Sequence, residues 1–196
     1  ATIGSDGDFT GAATYLGYVY FFKEDTIHTI MGSKPSNYQI QQSQGRGIEA
    51  GSEKSVAIVN ETLYYKSRNG VVQFQGSVAT SIADVFGEEH HKNAVGGRYK
   101  NKYYVSMATD EGKYYLFCYD ERKGTWCKED DTEVLYMAFL DNNLYYIDSE
   151  GFLKTIEGDD DGVIRWEAET GDIIIAMEKK YLSKISGPLL DRIDIQ

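Results

Sequence analysis

Proline, cysteine and histidine are scarce in this 196-residue sequence, with two, two and three residues respectively. The prolines, Pro35 and Pro188, leave long stretches in which nothing interrupts a strand. Apolar residues nowhere recur at helical spacing for three turns, which argues against helices of ordinary length. No apolar run approaches the ~18 residues of a membrane span. We therefore expect strands, and no segment that crosses a membrane.

Positive charge is also in the minority. The 20 basic residues are outnumbered by 31 acidic ones, which gives a net charge of −11. Only residues 98–102 and 179–180 resemble basic patches, and both are short. Such a balance argues against wrapping around a phosphate backbone, so we expect no direct sequence-specific binding of nucleic acid.

Cys118 and Cys127 are the only cysteines. In a two-strand interpretation of this region they lie opposite each other, because Asp120 then pairs with Thr125. A cross-strand disulfide and two reduced thiols of an intracellular protein both fit this placement. So few cysteines favour the reduced thiols.

Tyrosine, in contrast, is abundant, with 16 residues, and pairs of aromatic residues recur. Residues 134–156 read VLYMAFLDNNLYYIDSEGFLKTI, and residues 55–74 read SVAIVNETLYYKSRNGVVQF. Weaker copies occur at 13–30 and 93–107. Aligned on the residue before each aromatic pair, the copies start at Val19, Leu63, Lys102 and Leu144, at intervals of 44, 39 and 42 residues. A period of ~40–45 residues with four strands is typical of propeller blades.

We therefore predict an all-β protein, a β-propeller of about four visible blades of four antiparallel strands that could belong to a larger propeller. The blades occupy residues 1–171. Residues 172–196 add strands that either complete a blade or begin a second domain. Burial should alternate along each strand, with Leu63 and Tyr65 equivalent to Leu144 and Tyr146. The strands are expected at 13–16, 19–23, 26–31 and 38–41; 55–59, 63–67, 71–75 and 82–86; 94–99, 102–108, 113–119 and 125–129; 134–140, 144–148, 152–156 and 163–169.

Three short motifs suggest chemistry, and each has a simpler interpretation. Residues 87–91, GEEHH, gather carboxylates and imidazoles but lack metal-ligand spacing, so they predict a surface loop. Residues 157–162, EGDDDG, resemble the start of a calcium loop, but Ala168 stands where a bidentate Glu is required. An acidic turn is the better interpretation. The sequon at 60–62 falls in a tight turn and is attributed to chance.

No nucleophile elbow or phosphate-binding loop is present, and His28, placed within a strand, is expected to be exposed. We therefore predict no catalytic residue, no cofactor and no metal site, and a protein that is not an enzyme. Tyr119–Asp120 followed by Trp126 resembles the outer-strand signature of a kelch blade. The kelch double glycine is missing at Ser106–Met107, so this motif supports blade geometry but not kelch membership.

Six phrases between residues 55 and 185 resemble a family of prophage-encoded virion proteins of Gram-positive bacteria. They are SVAIVNETLYYKSRNGVVQF, GRYKNKYYVSM, LFCYDERKGTWCKED, LYYIDSEGFLKTI, IRWEAETGD and KKYLSKI. Residues 186–196 match nothing in this family. The resemblance implies a structural propeller within a longer chain, similar to the hub or packaged-DNA-stabilising proteins of phage head-to-tail connectors.

The resemblance implies a non-enzymatic phage or prophage structural protein that acts in head–tail or tail assembly through protein–protein contacts. It would lie in the virion, and in the cytoplasm during assembly. Its partners would be other virion proteins, further blades of its own chain, or a second copy bound through an unpaired edge of the first blade.

The alternative is a carbohydrate-binding or glycan-processing propeller, which requires aromatic and acidic side chains converging at one mouth. A host adaptor propeller would instead expose an apolar patch on one rim.

Overall fold

The structure is a computed structural model that describes residue 4 and residues 6–157. Strands account for 56% of the described residues, well above the ~20–25% of ordinary domains, and none of these residues is in an α-helix. The all-β prediction is therefore confirmed. The strand predicted at 163–169 and the additional strands predicted at 172–196 lie outside the described residues.

The described strands form four antiparallel sheets, each built from strands that follow one another in the chain. Sheet A contains β1 (Gly11–Tyr15), β2 (Tyr18–Phe22), β3 (Thr26–Met31) and β4 (Gln39–Gln44). Sheet B contains β5 (Ala57–Val59), β6 (Thr62–Ser67), β7 (Gly70–Phe74) and β8 (Ala79–Ser81). Sheet C contains β9 (His91–Tyr99), β10 (Lys102–Thr109), β11 (Tyr114–Asp120) and β12 (Thr125–Asp130). Sheet D contains β13 (Val134–Leu140), β14 (Asn143–Asp148) and β15 (Leu153–Thr155).

A two-residue turn joins the first and second strands of every sheet. In sheets A, B and D both turn residues have positive φ, as a type I′ hairpin requires. Aligning the sheets on these turns makes Val19, Leu63, Tyr103 and Leu144 equivalent. The sequence alignment, which used Lys102, was therefore wrong by one residue in the third copy, because it followed the aromatic pair and not the turn.

Three apolar clusters lie between successive sheets, so the sheets stack face to face in the order A, B, C, D. The first cluster joins sheets A and B through Tyr20, Phe22, Leu63 and Tyr65 among others. The second joins sheets B and C through Tyr64, Val71, Tyr103 and Val105. The third joins sheets C and D through Tyr104, Leu116, Cys118 and Leu144. This stacking is compatible with a propeller, but the described strands do not show a closed ring.

Burial does not alternate along β6, where all six residues are buried. The alternation predicted there was wrong because sheet B is covered on both sides. Leu63 and Tyr65 face sheet A, whereas Tyr64 faces sheet C. Leu144 is as buried as Leu63, but Tyr146 is only half-buried. The side chains of β6 still point alternately to its two faces, as the pleat demands, even though their exposure does not alternate.

The strand predicted at 82–86 was also wrong. The fourth strand of sheet B is β8, and a 3₁₀ turn follows at Asp84–Phe86, ending at Gly87 with a φ of 60°. The apolar residues that suggested a strand instead make separate packing contacts. Phe86 packs against Phe117 and Trp126, with ring centroids 4.9 and 5.0 Å away.

Two consecutive glycines, Gly96 and Gly97, allow β9 to be approached from both faces. A Cβ on Gly96 would lie 2.5 Å from the carbonyl oxygen of Ser55. A Cβ on Gly97 would lie 2.7 Å from Cδ1 of Leu144 and 2.9 Å from Sδ of Met137. Sheet C can therefore pack closely on both neighbours only without side chains at this point.

We expect Gly96→Ala to destabilise the protein by roughly 1–3 kcal/mol, the usual cost of overpacking. Gly97→Ala should cost less, because its two nearest neighbours, Cδ1 of Leu144 and Sδ of Met137, belong to flexible side chains that can shift while the Ser55 carbonyl cannot. Urea unfolding followed by circular dichroism measures both values. The control is Gly4→Ala, where no atom lies within 4 Å of the new Cβ. If Gly96→Ala is as stable as this control, the close packing of sheets B and C is wrong.

Candidate functional site

Polar side chains gather at one end of sheets A, B and C. Because strands alternate in direction, the turn between the second and third strands lies at the same end as the connection to the next sheet. The connection after sheet A accordingly runs beside the β2–β3 turn, where the amide of Gly47 donates to the Glu24 carbonyl oxygen at 2.9 Å. This end of the stack therefore collects residues from several turns and connections.

The Lys66 cluster, which comprises Lys66, Glu49, His90, Asp110 and Lys92, is a chain in which basic side chains alternate with carboxylates. Nζ of Lys66 donates to Oε2 of Glu49 at 2.8 Å and to the Ser67 carbonyl oxygen at 2.7 Å. Nε2 of His90 lies 3.2 Å from Oε1 of Glu49, and its Nδ1 lies 3.0 Å from Oδ1 of Asp110. Nζ of Lys92 is 3.7 Å from the same Asp110 oxygen. The cluster thus ties β6 and β9 to the connection before sheet B and to the β10–β11 turn.

Side-chain exposure rises steeply along the Lys66 cluster, from Lys66 outwards to His90. The side chain of Lys66 is 1% exposed and that of Glu49 is 10% exposed, whereas that of His90 is 42% exposed. Burial lowers the pKa of Lys66, and the Glu49 carboxylate opposes this shift. The hydrogen bond from His90 lowers the pKa of Asp110, and Lys92 adds to the effect. A protonated His90 would donate to both carboxylates, whereas a neutral ring donates to one.

A cavity of about 230 Å³ lies beside the Lys66 cluster. Its walls include Arg68, Phe86 and Glu88. Arg68 is itself paired, at 2.5 Å from Oε2 of Glu24 and 3.6 Å from Oδ2 of Asp25. The amide of Ala50 and then Arg68 lower the pKa of Glu24. Because Lys66 and Arg68 each lie beside a carboxylate, the arrangement acts as a structural tie.

His91 corrects the prediction of a surface loop at 87–91. Residues 87–90 are exposed, but His91 begins β9 and is 3% exposed. Its ring lies 5.2 Å from that of Phe86 and 5.4 Å from that of Phe117. Burial lowers the pKa of His91. The neutral imidazole therefore serves as a core aromatic ring.

His28 was predicted to be exposed, and this was wrong, because its exposed fraction is 1%. It lies on the side of sheet A that faces away from sheet B, where Phe9 covers it with ring centroids 5.9 Å apart. Alternation within β3 could not reveal this, since the covering residue comes from the segment before β1. The chain preceding a sheet can shield a face that the strand pattern leaves open.

The Tyr119–Asp120 and Trp126 motif fastens the outer hairpin of sheet C. Tyr119 and Trp126 are cross-strand partners with ring centroids 5.1 Å apart. Oδ1 of Asp120 accepts from the amides of residues 122 and 123 in the turn. Nε1 of Trp126 donates to the Ile82 carbonyl oxygen at 2.6 Å. The indole therefore joins sheet C to the connection that follows sheet B.

The remaining sequence motifs make contacts within the fold. Asn60 lies in the β5–β6 turn and donates to Oδ1 of Asn101 at 3.0 Å. Glu157 pairs with Lys100 at 2.6 Å, while residues 158–162 of the acidic run lie outside the described part.

Cys118 and Cys127 are cross-strand partners, as predicted, and both thiols are free. Burial raises the pKa of Cys118 to about 12.

Sequence reasoning missed the Lys66 cluster. The available signal was Lys66 itself, which follows Tyr64 by two residues and so shares its face of β6. A charged residue on the face of a core tyrosine predicts a buried ion pair. Glu49 and His90 give no such signal, because their turns meet Lys66 only after the sheets stack.

We expect Lys66→Met to destabilise the protein by roughly 3 kcal/mol, because it leaves the Glu49 carboxylate buried without its ammonium partner. The double variant Lys66→Met/Glu49→Gln should recover much of this loss, since no buried charge then remains. Arg68→Met is the matched control. Arg68 is 54% exposed, so losing its ion pair should cost about 1 kcal/mol or less. Urea unfolding compares the three variants, and equal losses for Lys66→Met and Arg68→Met would contradict this account.

His91 should make stability depend on pH. Its pKa is lowered in the folded state, so the unfolded chain takes up a proton near pH 6.5 while the folded protein does not. The free energy of unfolding should therefore fall as the pH drops from about 7 towards the lowered pKa of folded His91. Among the charged and titratable groups around this ring, Glu89 raises the pKa of His91, whereas Lys66 and His90 add to the lowering by burial. His91→Phe should reduce the slope of unfolding free energy against pH. An unchanged slope would show that the buried ring does not resist protonation.

No protein-family model matches the chain. A search of curated proteins likewise finds no significant match. Within residues 4 and 6–157, no helix is long and apolar enough to span a bilayer. The same residues contain no group of three or more His, Cys, Asp or Glu side chains that could hold a metal ion.

Proposed function

We propose that this chain is a non-enzymatic structural component of a phage or prophage particle, acting in head–tail or tail assembly through protein–protein contacts. The observation that supports it most is an apolar surface on the last described sheet. The resemblance of the repeat phrases to virion proteins supplies the biological setting.

The sheet D outer face consists of Tyr136, Leu140, Tyr145, Ile147 and Leu153. Register places Tyr136, Ile147 and Leu153 in one row across the three strands. Tyr136 is 57% exposed, Leu140 is 61% exposed and Leu153 is 69% exposed. Among the described strands, no sheet packs on this side. Contiguous apolar surface of this kind marks an interaction site.

The Lys66 cluster gives the glycan alternative little support. A sugar site needs several aromatic rings beside free carboxylates. Of the described residues that line the cavity, Phe86 alone is a Phe, Tyr or Trp. The nearby carboxylates of Glu49, Asp110 and Glu24 each lie beside a lysine or arginine. A protein-binding role therefore agrees better with the geometry.

Purified particles test this role directly. Particles released from the host bacterium on prophage induction should contain this chain when banded on a density gradient and analysed by mass spectrometry. Antibody labelling should place it at the head–tail junction or tail. Its absence from particles would overturn the proposal. Release of sugar from cell-wall polysaccharide by the pure protein would overturn it in favour of the glycan alternative.

The sheet D outer face should be required for incorporation into particles. Tyr136→Asp/Leu153→Asp places two charges on an apolar contact surface, so incorporation should fall at least about tenfold. Val78→Asp is the matched control, because Val78 is 72% exposed and lies outside sheet D. Quantitative mass spectrometry of particles compares the variants. Equal incorporation of the wild type, the double variant and the control would remove the sheet D outer face from the proposal.

A further inference from the structure

The second strands follow one positional rule. Counting from the turn, the third residue of each second strand is a tyrosine: Tyr20, Tyr64, Tyr104 and Tyr145. The first three are 3%, 0% and 5% exposed, and each packs in the cluster shared with the following sheet. This position therefore receives the next sheet of the stack.

Tyr145 occupies the same position but has no following sheet among the described residues. It is half-buried and lies on the opposite side of β14 from Leu144, which packs against sheet C. Tyr145 thus belongs to the sheet D outer face. The side of sheet D that the repeat reserves for a following sheet is the side that is exposed.

The neighbouring position has the opposite role. Leu63, Tyr103 and Leu144, second in their strands, each pack on the preceding sheet and are fully buried. Val19 is their equivalent in sheet A and is 38% exposed. In the register it continues into Ile30 and Ile40, which is also 38% exposed. We call this row of Val19, Ile30 and Ile40 the sheet A outer face.

The described stack therefore ends in two complementary halves of one interface. The sheet D outer face is built to receive a following sheet, and the sheet A outer face is built to lie on a preceding one. Val19 and Leu153 are exposed in the same chain, so the two faces do not cover each other within it. A contact that joins them would reproduce the contact already made between sheets A and B.

We propose that the sheet A outer face of a second copy of this chain covers the sheet D outer face, and that the reciprocal contact closes a symmetric dimer. The four described sheets of each copy together give eight sheets, within the ~4–8 blades of closed propellers. Closure by two identical contacts also prevents a head-to-tail contact from growing into a filament. This inference rests on the proposed function, since it names the first partner of an assembly surface.

Sedimentation equilibrium of the full 196-residue chain tests the dimer. The expected mass is twice the 22.1 kDa of the chain. Val19→Asp and Tyr136→Asp should each weaken association at least about tenfold, although they lie on different faces. Val78→Asp should leave the dimer intact. Circular dichroism and thermal melting confirm that all variants are folded.

A mixture of the two variants distinguishes the contact of unlike faces from a contact of like faces. Val19→Asp keeps its sheet D outer face and Tyr136→Asp keeps its sheet A outer face, so the mixture should associate more strongly than either variant alone. Loss of association in Tyr136→Asp but not in Val19→Asp would overturn the inference, because sheet D would then pair with itself. A monomeric wild-type chain at all concentrations would also overturn it.

The two proposals fail separately. A chain that enters particles but sediments as a monomer would keep the proposed function and overturn the dimer. A chain that forms the dimer but is absent from particles would keep the dimer and overturn the proposed function.

Discussion

The structure depends on burying tyrosine rings between successive sheets while the hydroxyls of Tyr65 and Tyr103 reach partners in the connections. The rings of Tyr64 and Tyr103 stack across sheets B and C with centroids 5.3 Å apart. The Tyr103 hydroxyl donates to the Ser55 carbonyl oxygen at 2.6 Å, and burial raises its pKa. The Tyr65 hydroxyl donates to the Arg46 carbonyl oxygen at 2.7 Å. A tyrosine contributes an apolar ring to the sheet contact and a polar tip to the loop beside it.

This use of tyrosine explains why the connection between sheets A and B is well fixed. The Tyr65 hydroxyl, from sheet B, donates to Arg46 near the start of this connection. The Tyr103 hydroxyl, from sheet C, donates to Ser55 near its end. The Ser52 hydroxyl accepts from the amide of Ala94 at 3.0 Å, and the Ser55 hydroxyl accepts from the amide of Lys66 at 2.9 Å. Backbone groups enclosed between sheets need such partners. Glu49 of the Lys66 cluster lies within this connection, so the buried charge of Lys66 rests on a framework that is already hydrogen-bonded.

The sequence revealed the parts that depend on neighbours along the chain. Hairpins, their turns and the repeat could be predicted because the turn residues and the two-residue alternation are local. The error at Lys102 arose because aromatic pairs occur at different distances from the turn in different copies. His28 and His91 could not be placed, since each is covered by residues outside its own strand. Lys66 could have been placed on a buried face from its spacing to Tyr64, but its partners Glu49 and His90 could not. The alternation predicted for β6 failed for the same reason, because a strand between two sheets has no exposed side.

Edges and faces of the stack differ in composition, and this difference decides which of them can bind a partner. The outer strand β4 reads QIQQSQ, and the outer strand β12 reads TWCKED. Five of the six residues of each strand are exposed. Polar and charged side chains on an edge strand discourage pairing with another chain. The sheet D outer face instead carries large apolar side chains over three strands. Association through a face also buries the rings that the repeat places there, whereas edge pairing would leave them in water. A protein built by stacking sheets therefore extends most readily by stacking another sheet.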